Sequence, residues 1–419
     1  MKFRTALSSA KQDVMLRRPL PLAILIFALA QALFMIRLSV PHQFVFDEVH
    51  YVPAARALIT LAGPMNIEHP LLGKWLISLG IRLFGDTPFG WRFPSTVAGS
   101  VTVVSLFATV WLMTGRLRPA LVAVALTLLG FTVYVQSRIA MLDGFMLAFL
   151  MAAIAMAAWT MRRGGWSRWT LVAVLLGCAV GCKWLAAPYI AFAAGALVIL
   201  KRGDARRFPG IRPLPAIALL GAVSVATYLA TFAPAFFYAS EPLTLASLIP
   251  FQLTMYERQT QVLPPHLYQS NWWTWPLLIR PIWYLYEPAD GAQRGILFLG
   301  NPAIMWSGLV AVAACWIGWV RSGSARLFAA AWLWTGSLAL WAVIPKSLGF
   351  YYYYYPASVF IVIAIVAALD HWRERTRNWD VALIAVAAAL AIYFYPILSA
   401  QALPDAGAFR RWTWFTTWV

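Results

Sequence analysis

Long runs almost free of charge recur through the whole chain, at residues 19–36, 93–113, 119–136, 144–161, 213–237, 298–320, 327–345, 350–369 and 381–397. A helix needs about 20 mostly apolar residues to cross the ~30 Å hydrocarbon core of a bilayer, so runs of this length and number describe a polytopic helical membrane protein. The run 169–200 is long enough for one steeply tilted helix or for two short ones broken near Lys183. Two spans keep Lys201, Arg202, Arg206 and Arg207 on the same side as Arg162, Arg163 and Arg168, as the cytoplasmic bias of basic loops requires. The expectation is an all-α bundle of about eleven transmembrane helices, N-terminus inside and C-terminus outside.

Composition agrees with that reading: 62% of the 419 residues are hydrophobic and only 11% charged, with a mean hydropathy of +0.71. A net charge of +18 invites a nucleic-acid partner, but the Lys and Arg sit in short clusters between apolar runs rather than on one soluble face, which excludes it. Their placement is topological. Residues 1–18, with Lys2, Arg4, Lys11, Arg17 and Arg18, form a cytoplasmic tail, and no small-residue cleavage site follows the first run, which is therefore an uncleaved span. Cys178, Cys182 and Cys315 lie in or beside apolar runs without metal-ligand spacing and read as small core residues.

Where charge is scarce, its location is informative. On this topology the acids Asp47, Glu48, Glu68, Asp86, Asp143, Glu241, Glu257, Glu287, Asp290 and Asp405 face outward, as do His42, His50, His69 and His266. The first outer loop, residues 41–92, carries FDEVHY and then EHPLLGK within residues 44–74. Its adjacent carboxylates, Asp47 and Glu48, can split roles, one accepting a proton and one holding a partner. Glu68 and His69 form a second titratable cluster, but no further His stands at ligand spacing, so no metal site is expected. Residues 71–84 are apolar, short, and interrupted by Lys74 and Arg82, which suits a helix lying in the interface over the reactive loop. A second outer loop, residues 239–297, has NWWTWPLLIRPIWYLYE at its core and suits the headgroup level.

Arg138 and Asp143, in SRIAMLDG, read as an ion pair tying a hairpin together. Lys183, Lys346 and Arg280 are isolated cations in or beside apolar sequence. A charge in a membrane core costs about 2.5–3.5 kcal/mol even on the lenient insertion scale, so each needs a partner or a wet cavity. Snorkelling accounts for Lys346 and Arg280 equally well. Outer carboxylates for a base, with cations at the depth of a lipid phosphate, together suit transfer from a lipid-phosphate-linked group to an outside acceptor.

FDEVHY, EHPLLGKWLISLGIRLFG, FGWR, SRIAMLDGFML, GCAVGCKW, SNWWTWPLLIRPIWYLYE, LGNPAIMW and FYYYYYPA follow one another along the chain. In this order they resemble the bacterial protein O-mannosyltransferases, GT-C membrane glycosyltransferases of family 39. The resemblance implies a single GT-C transmembrane domain over residues 1–419, without the soluble MIR domain of fungal and animal members. It also implies inverting transfer of a sugar, typically mannose, from a polyprenyl-phosphate carrier to Ser or Thr of a secreted protein. By the same resemblance Asp47 and Glu48 are catalytic, Asp47 as base and Glu48 positioning the loop or sugar. Arg138, Lys183, Lys346 and Arg280 then hold the donor, with Trp184 beside Lys183, while His50, Tyr51, Glu68, His69 and Lys74 position the loop and acceptor. The family's HPPLGK motif falls on residues 69–74, with Leu71 in place of its second Pro.

No cofactor is required on this reading, a divalent metal being left open. The expected partners are the bilayer, the polyprenyl-phosphate sugar and a secreted protein, with the translocon beside it. The location is a bacterial inner membrane with the site facing out. The rival keeps the donor but takes lipid A, another glycolipid or a cell-wall glycan as acceptor. A lipid transporter or flippase would show broken helices in matching halves, and no such symmetry is evident.

Overall fold

The computed structural model describes residues 19–419, so the basic tail 1–18 lies outside the described residues. The apolar runs are helical: α1 (Leu20–Met35), then, after the first outer loop, α4 (Pro88–Thr114), α5 (Leu117–Leu128) with α6 (Phe131–Gln136), α7 (Leu142–Arg163), α8 (Trp166–Cys182), α9 (Pro188–Gly203), α10 (Pro213–Ala230), α12 (Pro302–Ser322), α13 (Ala325–Ala339), α14 (Tyr355–His371) and α15 (Trp379–Leu398). Seven helical segments among the described residues are long and apolar enough to cross a membrane by length and composition. Helix ends follow local chemistry. Thr87 caps α4, accepting a hydrogen bond from Gly90 N, with Pro88 at the first helical position, and Asn301 with Pro302 does the same for α12. Gly115 and Gly323 end their helices with φ of +69° and +66°, a backbone that costs glycine nothing.

Two of the apolar runs are interrupted, the second of them where a break is expected. The run 119–136 breaks at Leu129 and Gly130 into α5 and α6, and the buried Asn301 amide bonds the freed Leu129 carbonyl at 3.0 Å. The run 169–200 breaks at Lys183, whose backbone is extended (φ −158°, ψ 134°), before a turn of 3-10 helix and α9. The helical expectation for residues 298–320 starts too early, because Phe298 ends a strand.

The two long loops expected on the outer side are structured. Residues 41–92 fold into α2 (Glu48–Thr60), α3 (Leu72–Phe84) and the first turn of α4. In α3, Gly73, Ile77, Gly80 and Ile81 are buried while Leu79, Leu83 and Phe84 stay exposed. That one-sided apolar exposure fits a helix in the interface. Residues 239–297 hold α11 (Leu248–Thr260) and an antiparallel hairpin of β1 (Ile282–Ala289) and β2 (Ala292–Phe298), an element the helical reading leaves out. Its turn residues Asp290 and Gly291 both have positive φ, +49° and +74°, as a two-residue type I′ turn needs. Tyr284 of β1 stacks between Phe46 (4.3 Å) and Phe298 (4.9 Å), so the hairpin walls the first outer loop. The core beneath is made by α4, α7 and α8 packed in sequence, with α12, α13 and α14 forming a second group.

Candidate active site

Asp47 occupies the N-cap position of α2, yet its carboxylate makes no capping bond, although capping is what Asp at that position usually does. It accepts instead from Tyr51 Oη at 3.2 Å. The turn before it is strained: Phe46 has φ +50°, a region that costs a bulky residue about 1–3 kcal/mol. The stack on Tyr284 and an edge contact with Tyr352 at 5.7 Å hold that ring in place. Burial pushes the Asp47 carboxyl above the usual carboxylate range; the Lys183 ammonium opposes the shift and Asp143 adds to it. The product is a carboxylate more basic than a solvated one, with a cation nearby that opposes the effect of burial.

Glu48 is turned away from Asp47 and is 0% exposed. Its oxygens accept from Arg92 Nε and Nη2, both at 2.8 Å, and from the amides of Val45 and Ala140, also at 2.8 Å. Arg92, 1% exposed, spends its other donors on the carbonyls of Leu38, Pro41 and Gln43. All guanidinium N–H groups are thereby used. No oxygen of Glu48 is left for a substrate, and its geometry is that of a loop anchor. Arg92 escaped the sequence reading as a functional residue because α4 starts one turn earlier than its apolar run and carries Arg92 into the core.

Asp143 pairs with Lys183 rather than with Arg138, through two contacts of 2.8 and 2.9 Å, and both residues are buried. Residue spacing favoured Arg138, but α8 ends at Cys182 and delivers Lys183 to the first turn of α7. The Lys183 ammonium also lies 5.2 Å from the Tyr352 ring centre and 5.6 Å from that of Tyr353. Arg138 donates to the carbonyls of Phe34, Ile36 and Arg37 at the end of α1, where a cation complements the helix dipole. Its Nε and one Nη2 hydrogen have no protein acceptor among the described residues. Arg280 bonds the Leu267 carbonyl in the second long loop, and no hydrogen bond among the described residues joins it to the Asp47 cluster.

The segment EHPLLGK is held from below by Lys74, 0% exposed, which donates to the carbonyls of Met65, Asn66 and His69. Burial pushes its ammonium down to about 7, against the pull of Glu68. The His69 ring lies edge-on to Tyr51, with centres 5.8 Å apart. Glu68 accepts from Asn66, and His50 is exposed on α2 beside Asp47. Lys346 reaches Gln259 of α11, bonding its carbonyl at 2.9 Å. The structure therefore gathers Asp47, Tyr51, His69, Asp143, Lys183, Tyr352 and Tyr353 into one cluster of neighbouring side chains. Glu48, Arg92 and Lys74 are buried and use their polar atoms to hold the surrounding backbone.

Comparison with known proteins gives the same direction. Residues 68–232 match the family described as dolichyl-phosphate-mannose-protein mannosyltransferase, and residues 244–330 match the C-terminal four-transmembrane region of protein O-mannosyltransferase. Polyprenol-phosphate-mannose–protein mannosyltransferase of Mycobacterium tuberculosis H37Rv is 25% identical over 458 residues, covering 89% of this chain and 86% of that protein. The Corynebacterium glutamicum protein of the same name is 25% identical over 463 residues, 89% and 88% of the two chains. Among solved structures, the S. cerevisiae protein O-mannosyltransferase Pmt1–Pmt2 complex bound to the sugar donor superposes with a TM-score of 0.81, at 14% identity, over 97% of this chain and 94% of that one. ArnT from Cupriavidus metallidurans bound to undecaprenyl phosphate reaches 0.59 at 16% identity, over 89% and 64%. With these matches spread along the same order of elements, the chain belongs to the protein O-mannosyltransferase family of GT-C membrane glycosyltransferases.

Proposed function

We propose that the protein transfers mannose from a polyprenyl-phosphate carrier to Ser or Thr hydroxyls of secreted proteins, with inversion at the anomeric carbon. Asp47 carries the reading: it is a helix-cap carboxylate that does not cap, made more basic by burial and set near the Lys183 ammonium. Asp47 takes the hydroxyl proton as the acceptor oxygen bonds to the anomeric carbon. The bond from that carbon to the phosphate oxygen breaks, and polyprenyl phosphate leaves with the electron pair. Lys346 and the spare donors of Arg138 are the cations available to stabilise the leaving phosphate. One base and no enzyme nucleophile suffice for a single inverting displacement, unlike the paired carboxylates of retaining glycosidases. The site belongs on the extracytoplasmic side of a bacterial inner membrane, where a nascent chain leaving the translocon is within reach.

Acceptor identity is tested in cells lacking the gene and complemented with wild type or Asp47→Asn, comparing secreted proteins and glycolipids by mass spectrometry. Loss of hexose from Ser/Thr in both the deletion and the variant is expected. A change confined to glycolipids assigns the acceptor to that class instead, and an unchanged glycome overturns the transferase reading.

A further inference from the structure

Gln259, on α11, reaches across to the first outer loop, and its amide contacts fix a proton elsewhere. A Gln side chain has one acceptor end and one donor end, and which is which follows from its neighbours. Lys346 can only donate, and its Nζ lies 3.2 Å from Gln259 Oε1. Gln259 Nε2 then faces the Glu68 carbonyl oxygen, which can only accept, and His69 Nδ1 at 2.9 Å. Both ends agree on one orientation. The two amide hydrogens are used on Glu68 and His69, so Nδ1 of His69 is the bare, accepting nitrogen and the ring proton sits on Nε2.

The charges around the ring oppose a second proton. Lys74 faces it from α3, Lys183 from the end of α8, Lys346 from the segment before the tyrosine run, and His50 from α2. Against these stand Glu68 beside it and Glu241 across a cavity of about 240 Å³ that His69 also lines. Burial and the cations hold the imidazolium well below its ordinary range.

We propose that Gln259 is a positioning residue that locks His69 as a neutral Nε2–H donor toward the sugar-phosphate and holds Lys346 for the same phosphate. His69 is then not a second base. The identity of the ligand rests on the mannosyl-transfer reading, whereas the tautomer does not.

The test is ¹⁵N NMR of the full-length protein labelled at histidine, with the His69 signals identified by their loss in His69→Gln. Expected at neutral pH is an unprotonated Nδ1 and a protonated Nε2. Gln259→Glu replaces the donor end by an acceptor of nearly the same shape and moves the proton to Nδ1. In that variant a neutral His69 loses its Nε2 donor, so transfer falls at least about tenfold as pH rises through the His69 pKa and recovers on acidification. Wild type lacks this limb, and Gln259→Leu lowers activity without creating it. A protonated Nδ1 in wild type, or an unmoved proton in Gln259→Glu, overturns the proposal. The wild-type spectrum needs neither a folded variant nor turnover, so it stays readable if the acceptor proves to be something else.

Discussion

At the scale of single residues, Asp47 and Glu48 show how neighbours in sequence take opposite duties. Asp47→Asn should lower transfer by about 10²–10⁴-fold, the usual yield of a positioned base, while leaving thermal stability nearly unchanged because the carboxamide oxygen can still accept from Tyr51. The wild-type rate should fall on acidification at a pH above the ordinary carboxylate range. Burial raises the Asp47 pKa, so the reactive ionised form is lost earlier as protons are added. A pH profile of single-turnover transfer checks this, and an acid limb near the value of a free aspartate would contradict it. Glu48→Gln or Arg92→Met should instead cost about 3–5 kcal/mol of stability, since either leaves one buried charge unpaired, measured by thermal unfolding in detergent.

Among the elements, the decisive event is the break after α8. Lys183→Met leaves Asp143 buried without its partner and should cost about 3–5 kcal/mol. Pairing it with Asp143→Asn should recover most of the stability but not the activity, because Asp47 still lacks its nearby cation. Equal recovery of both would assign Lys183 a structural role only. The break itself was legible from charge bias across residues 169–200. The salt-bridge partner was not, because Asp143 and Lys183 are 40 positions apart and no local periodicity relates them. The hairpin was legible in principle: Asp290 and Gly291 stand between two runs of strand-forming residues, a signal masked by the aromatic density that reads as interfacial.

For the whole molecule, topology decides what the site can meet. Thr244 and Arg375 are both exposed, at the outer loop and at the expected cytoplasmic end respectively. Of the native cysteines, Cys182 and Cys315 are buried and Cys178 half-buried. Thr244→Cys should therefore react with a membrane-impermeant thiol reagent in intact cells, and Arg375→Cys only after permeabilisation. The reverse pattern would put the Asp47 cluster on the cytoplasmic side and exclude secreted acceptors.

The sequence alone determined that this is a helical membrane bundle, because hydrocarbon admits few ways to satisfy a backbone and twenty apolar residues announce one of them. It also singled out the acidic loop around Asp47, since a chain this poor in charge has few places to put carboxylates. Only the tertiary structure decided which charges face one another. Arg92 against Glu48, Lys183 against Asp143 and Gln259 against His69 join segments far apart in the chain. A buried charge or amide is defined by its partners, and partners are set by how helices pack rather than by the residues on either side.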